Sequence, residues 1–183
     1  MKKLLFSTFT ILLVGWNGQS QKTTNQFSLN FLMPSIEYET AISENSTIDA
    51  VLGFGFGYHD ASYLDEAEYG IYPDFQAQYR HYYNLKKRLG KGKKISENSG
   101  NYIALSTNVL SGEPIIGDMR LNKDYSGFVG PLWGLQRVYN SNFKLNLNLG
   151  FGMGFNDRED PYFATHIGLQ LGFKLGKEKR QKD

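Results

Sequence analysis

The chain has 183 residues, 21% of them charged, with a formal charge of +2, no cysteine and three histidines. One domain fits that length, and the missing thiols exclude a disulfide scaffold, a thiolate metal site, a cysteine nucleophile and a lipid-anchored lipobox. The near-neutral charge argues against a dedicated nucleic-acid binder, which needs a strongly basic face.

The predicted elements begin with a targeting segment. Lys2 and Lys3 precede an apolar run from Leu4 to Val14 and then Gly18-Gln19-Ser20. A positive head, a short apolar stretch and small residues at −3 and −1 of a cut after Ser20 form the pattern of a secretory signal. The run is too short for a membrane-spanning helix, which takes about 20 apolar residues. Residues 1–20 are therefore expected to be cleaved, leaving 18 basic and 18 acidic residues in an exported chain.

Beyond it, 20 glycines accompany 12 tyrosines and 13 phenylalanines, a mixture natural to half-apolar strands. Eight strands are expected, at about 27–33, 35–42, 47–59, 72–85, 101–110, 125–139, 143–156 and 162–175. Pro34 separates the first two or bends one long strand, and an even strand count favours the split. From Phe143 to Phe155 every odd position is apolar and every even one is polar or glycine, which is strand alternation. The same period runs through 48–58, 73–85 and 163–175.

Strands of this length exceed the usual 5 or 6 residues of globular sheets and match the roughly 9 to 11 tilted residues that cross a bilayer. One face is large and apolar. The other is glycine, amide and charge, too glycine-rich for a solvated surface. The fold class is therefore read as all-β: an eight-stranded antiparallel up-and-down transmembrane β-barrel over residues 21–176, apolar outside and polar inside, followed by a basic tail at 177–183.

The charge map gives this barrel two ends. Segments 60–71, 111–124 and 156–161 carry ten acidic residues, Asp60, Asp65, Glu66, Glu68, Glu113, Asp118, Asp124, Asp157, Glu159 and Asp160, against three basic ones. These are the expected outer loops. The long connector 86–100 holds Lys86, Lys87, Arg88, Lys91, Lys93 and Lys94 with Glu97 alone opposing them, and parity places it on the periplasmic side. Tyr82, Tyr83, Tyr102, Trp133, Tyr139, Phe143, Tyr162 and Phe163 stand near strand ends, where interfacial girdles would put them.

Few residues suggest chemistry. Gly53-Phe-Gly-Phe-Gly and Gly150-Phe-Gly-Met-Gly alternate within strands, whereas a phosphate-binding glycine loop follows a strand and opens a helix. Gly90-Lys-Gly-Lys-Lys reads as a flexible basic turn with no identified periplasmic partner. The lumen face collects Glu37, Glu39, Asp49, Asp74, Arg80, Lys144, His166 and Lys174. Charges in a narrow barrel must be paired or hydrated, so a mutually satisfied network is favoured over a catalytic cluster. No serine stands beside His59 or His166, no Gly-x-Ser-x-Gly occurs, and His81 is expected at the periplasmic interface. A solvated acidic rim is favoured over one that shares divalent cations with lipid phosphates. The reading is a non-enzymatic protein of the bacterial outer membrane without cofactor or metal, its partners being outer-membrane lipid and, during biogenesis, the barrel-assembly machinery. A lipid-modifying enzyme and a soluble periplasmic lipocalin-like carrier stand as alternatives.

Phe27-Ser-Leu-Asn-Phe-Leu-Met-Pro-Ser-Ile-Glu-Tyr-Glu-Thr-Ala-Ile-Ser-Glu-Asn-Ser-Thr resembles the opening of a family of small Bacteroidota-type outer-membrane β-barrels, a domain of unknown function, and Tyr79-Arg80-His81-Tyr82-Tyr83 resembles a strand end of that family. The hairpin at 143–175 is similar in pattern, though any barrel hairpin would read alike. The resemblance implies an eight-stranded outer-membrane barrel and carries over no catalytic residue. Such barrels often end on an aromatic residue that helps assembly, whereas this chain runs on past Phe173 to Asp183.

Overall fold

Alternation of large apolar side chains with glycine, amide and charge produces strands almost throughout the computed structural model, which describes residues 23–59 and 68–176. The expected signal segment, the first outer loop from Asp60 to residue 67 with Asp65 and Glu66, and the basic tail from residue 177 lie outside the described residues. The elements are β1 (Gln26–Asn30), β2 (Ser35–Ala41), β3 (Ser46–His59), β4 (Glu68–Tyr82), α1 (Leu85–Leu89), β5 (Asn101–Ser111), β6 (Ile116–Gly117), β7 (Tyr125–Val138), β8 (Phe143–Asn156) and β9 (Tyr162–Leu175).

Every strand pairs antiparallel with its neighbours, in the order β3-β2-β1-β9-β8-β7-β5-β4, and β3 also pairs with β4. Eight strands thus form a ring, with β1 joined to β9 from Phe27↔Leu175 to Asn30↔Gly172. The ninth strand, β6, only adds two residues to β4 at Gly70 and Ile71. Stepping through successive partners from Phe27 by way of Tyr38, Ala50, Ala77, Thr107, Val129 and Met153 leads to Phe163. That residue lies about 12 positions from Leu175, the partner of Phe27, so the strands are strongly tilted.

Two strand boundaries and the basic connector differ from expectation. The first two strands are separate, and β1 stops at Asn30 because Phe31–Pro34 turns the chain, Pro34 having no N–H to offer a ladder. β4 starts at Glu68, four residues before its expected start at 72, pairing as far as His59↔Glu68. The basic connector is more than a flexible turn. It holds α1, whose Leu85 is buried, and then Glu97 and Asn98, both in the left-handed backbone region at φ 56°.

The two faces separate as alternation requires. Leu105, Phe151 and Phe56 are about 60% exposed on the outside, whereas Glu37, Glu39, Asp49, Arg80, Gln136, Lys144 and Asn146 are buried inside. A small apolar layer of Tyr82, Leu85, Tyr102, Ala104, Phe128 and Leu132 joins them. Glycine makes room for it. A Cβ on Gly134 would lie 2.3 Å from the Tyr102 ring. Among the described residues no helix is long and apolar enough to cross a membrane.

Candidate functional site

The site is the buried charge at the inner end of the ring, near the turns at 42–45 and 139–142. On β2, Glu37 and Glu39 point inward two residues apart, and Glu39 stands in register with Asp49 of β3. β4 supplies Arg80, and β8 supplies Lys144. The Arg80 guanidinium lies 2.7 Å from Asp49, 3.5 Å from Glu37 and 3.8 Å from Glu39, all with fully buried side chains. Lys144 pairs with Glu37.

Hydrogen bonds complete the network. Thr47 Oγ1 and the Tyr82 hydroxyl donate to Glu39 Oε1 at 2.6 and 2.7 Å. Gln136 Nε2 donates to Glu39 Oε2 at 3.0 Å, and Gln26 Nε2 donates to the same oxygen. Arg80 Nε donates to Gln78 at 2.8 Å and Nη1 to Gln136 at 3.2 Å, while the guanidinium stacks 4.9 Å from the Tyr102 ring. Tyr102 in turn donates to Asn146 at 2.8 Å.

The connector seals this end. Glu97 is buried and held by Lys174 at 2.5 Å and Lys94 at 2.7 Å. Burial pushes its carboxyl pKa up, but the two lysines together outweigh that and hold it below the usual range. Asn98 exchanges hydrogen bonds with the backbone of Thr24 at 2.8 and 2.9 Å, and the Ser99 hydroxyl accepts from Val138 N at 3.0 Å. Charge balances across the assembly: Glu37, Glu39, Asp49 and Glu97 face Arg80, Lys144, Lys174 and Lys94.

Of the eight residues expected in a lumen network, five meet directly. Lys174 belongs to the Glu97 pair. Asp74 and His166 stand apart. Asp74 is half-buried and makes no ion pair among the described residues, and it pairs in register with Gly53, well above the cluster. His166 packs 5.3 Å from the Phe128 ring, with no hydrogen-bond partner for Nε2 among the described residues. The sequence reading missed Glu97, Gln136, Gln26 and Thr47. It also placed Tyr82 and Tyr102 in a girdle, although both are buried inside. Their inward direction was available, since Tyr82 shares the parity of Gln78 and Arg80. Trp133 does stand on the outer surface at this end, donating to the Tyr83 hydroxyl at 2.8 Å.

The arrangement neutralises charge. His81 is half-buried against Ser46 Oγ at 3.0 Å, but no carboxylate among the described residues bonds its ring. The described residues hold no cluster of ligands for a metal ion. No family model, curated protein or solved structure matches the chain.

Proposed function

We propose that the chain is a non-enzymatic outer-membrane β-barrel whose lumen is filled by its own side chains. One observation carries the reading: the ring is inside-out for a water-soluble protein, with Arg80 and Glu39 at 0% exposure while Leu105 and Phe151 stand at 60% and 59%. Water does not favour such a surface, whereas hydrocarbon does, and only closed rings or helices satisfy their backbone polar groups there. A soluble lipocalin-like carrier needs the opposite arrangement, an apolar cavity within. The likeness of Phe27–Thr47 to small outer-membrane barrels supports the same location.

Eight strands leave room for side chains rather than for a channel, and here the connector also occupies the inner mouth. The role then falls to the outer loops as a structural, adhesive or ligand-binding surface. Asp157 accepts from Asp124 N at 2.9 Å and Lys123 pairs with Glu159 at 3.0 Å, which ties two of these acidic loops together. The test is Leu105→Arg with extraction of the membranes. In a membrane barrel the variant accumulates less folded protein in the membrane fraction, and in a soluble carrier it is harmless.

A further inference from the structure

The outward face of the ring is free of formal charge with one exception. Outward positions are odd-numbered in β1, β4, β5, β7, β8 and β9 and even-numbered in β2 and β3. Among the described residues of these strands, Arg137 is the one Asp, Glu, Lys or Arg that occupies such a position. It follows Pro131, Trp133 and Leu135 down the outer side of β7 and lies half-buried at the inner end, just before the exposed Tyr139. A charge on a lipid-facing strand is costly at the midplane and tolerated near the interface, so Arg137 marks a depth as well as a direction. The residues around it are those of an aromatic belt. Trp133 Nε1 donates to the Tyr83 hydroxyl at 2.8 Å, and Tyr139 lies 5.9 Å from the Phe143 ring.

A second guanidinium stands beside the first. Arg137 Nη1 donates to Gly100 O and Gln136 O, both at 2.7 Å, and Nη2 donates to Asn101 Oδ1 at 2.6 Å. Asn101 N donates to Asn84 Oδ1 at 2.8 Å, and Asn84 O accepts from Arg88 N at 2.9 Å. The half-buried Arg88 side chain curls onto Lys94 O at 2.9 and 3.3 Å. Arg88, Tyr139 and Tyr83 are the titratable neighbours of Arg137. No carboxylate is among them, and none offsets the burial of Arg88. Glu97, the connector's acid, is taken by Lys94 and Lys174. Residues 177–183 carry four basic and two acidic side chains, so they add no net negative charge. Both guanidiniums thus rest on neutral oxygens, which orient a cation without cancelling its charge. Two half-buried like charges without a counter-ion are unfavourable, and an anion from outside would complete them.

We infer that Arg88 and Arg137 bind the phosphate of an anionic phospholipid in the leaflet that meets the inner end of the ring, beside the Tyr83 and Tyr139 hydroxyls. The inference rests on the membrane reading. Guanidinium groups match phosphate oxygens with directed N–H bonds, and Arg88 Nη1 and Arg137 Nε make no hydrogen bond among the described residues. A zwitterionic lipid brings its own cation to the phosphate, so an anionic headgroup compensates the pair better. Direction selects the bilayer as the source. Arg137 faces sideways at the level of the aromatic belt, where lipid phosphates lie. The exposed Lys86, Lys87, Lys91 and Lys93 belong to the connector, and a soluble polyanion would meet them first.

The test reconstitutes the full mature protein in phosphatidylcholine vesicles containing a minor fraction of phosphatidylglycerol. The protein is then extracted in mild detergent, and its retained lipids are counted by native mass spectrometry. Phosphatidylglycerol should be retained several-fold above its share of the vesicle. Arg88→Gln and Arg137→Gln should each remove most of that enrichment, whereas Lys91→Gln/Lys93→Gln, which removes more charge, should keep it. Gel mobility before and after boiling shows which variants are folded, and the wild-type measurement stands without them. Retention in proportion to vesicle composition overturns the site while leaving the membrane reading intact. Failure of the wild type to enter vesicles removes both. Equal loss in the lysine variant makes the attraction diffuse and overturns the pair. Stabilisation by inorganic phosphate in lipid-free micelles, without phosphatidylglycerol enrichment in vesicles, assigns the pair to a soluble anion and overturns the lipid.

Discussion

Arg80→Met removes the cation that pairs with both Asp49 and Glu39. Three carboxylates lie within 3.8 Å of its guanidinium, and Lys144 forms its ion pair with Glu37 among the described residues. Methionine fills much of the space, so the cost is electrostatic rather than a cavity. Removing one partner of a buried ion pair costs about 3–5 kcal/mol, a factor of about 10² to 10⁴ in the folding equilibrium, because the remaining charge is left uncompensated. The assay is urea unfolding of the mature protein in detergent micelles, followed by fluorescence of Trp133 and by gel mobility. Adding Asp49→Asn should recover part of the loss, with a coupling of about 0.5–3 kcal/mol for groups in contact. Arg120→Met is the reference, since Arg120 meets Glu113 at 3.7 Å with both side chains mostly exposed, and such pairs contribute little. If Arg80→Met costs no more than Arg120→Met, the interior is hydrated and the account of a self-neutralised lumen is refuted.

Three other outcomes are expected. Leu105→Arg should destabilise the protein in bilayers by about 2–4 kcal/mol if the residue lies near the midplane, measured by the urea midpoint in vesicles. Gly134→Val should cost about 1–3 kcal/mol by overpacking, because the new side chain would drive Tyr102 away from Asn146 and Arg80; a wild-type urea midpoint would show that Tyr102 moves freely. The lowered Glu97 carboxyl contributes stability above its unfolded-state pKa, and that contribution is lost as pH falls through its folded value. Hydrogen exchange across 94–100 should therefore rise in acid, with the dependence weakened in Glu97→Gln; an unchanged acid profile in that variant removes the lock.

Period two was enough to place the charged residues inside, because a strand residue can point only one of two ways. It could not say which of them meet. Glu37, Glu39, Asp49, Arg80 and Lys144 come together because the register and the tilt of the ring bring them to one height. Asp74 and His166 share their parity but sit farther along their strands, opposite Gly53 and Gly150. Tyr82 and Tyr102 show two signals in conflict: position near a strand end suggests a girdle, and parity suggests the lumen. Parity prevails because the 83–100 connector folds over this mouth and buries it. That fold depends on left-handed backbone at Glu97 and Asn98 and on contacts with Lys174 and Thr24, which no local periodicity records.

The most direct test of the account is electrophoresis of the mature protein from isolated outer membranes, with and without boiling. A barrel of this kind should remain with the membrane until detergent is added, and should change mobility on boiling as its ring opens. A protein found in the aqueous fraction without detergent, running at one mobility under both conditions, would contradict it.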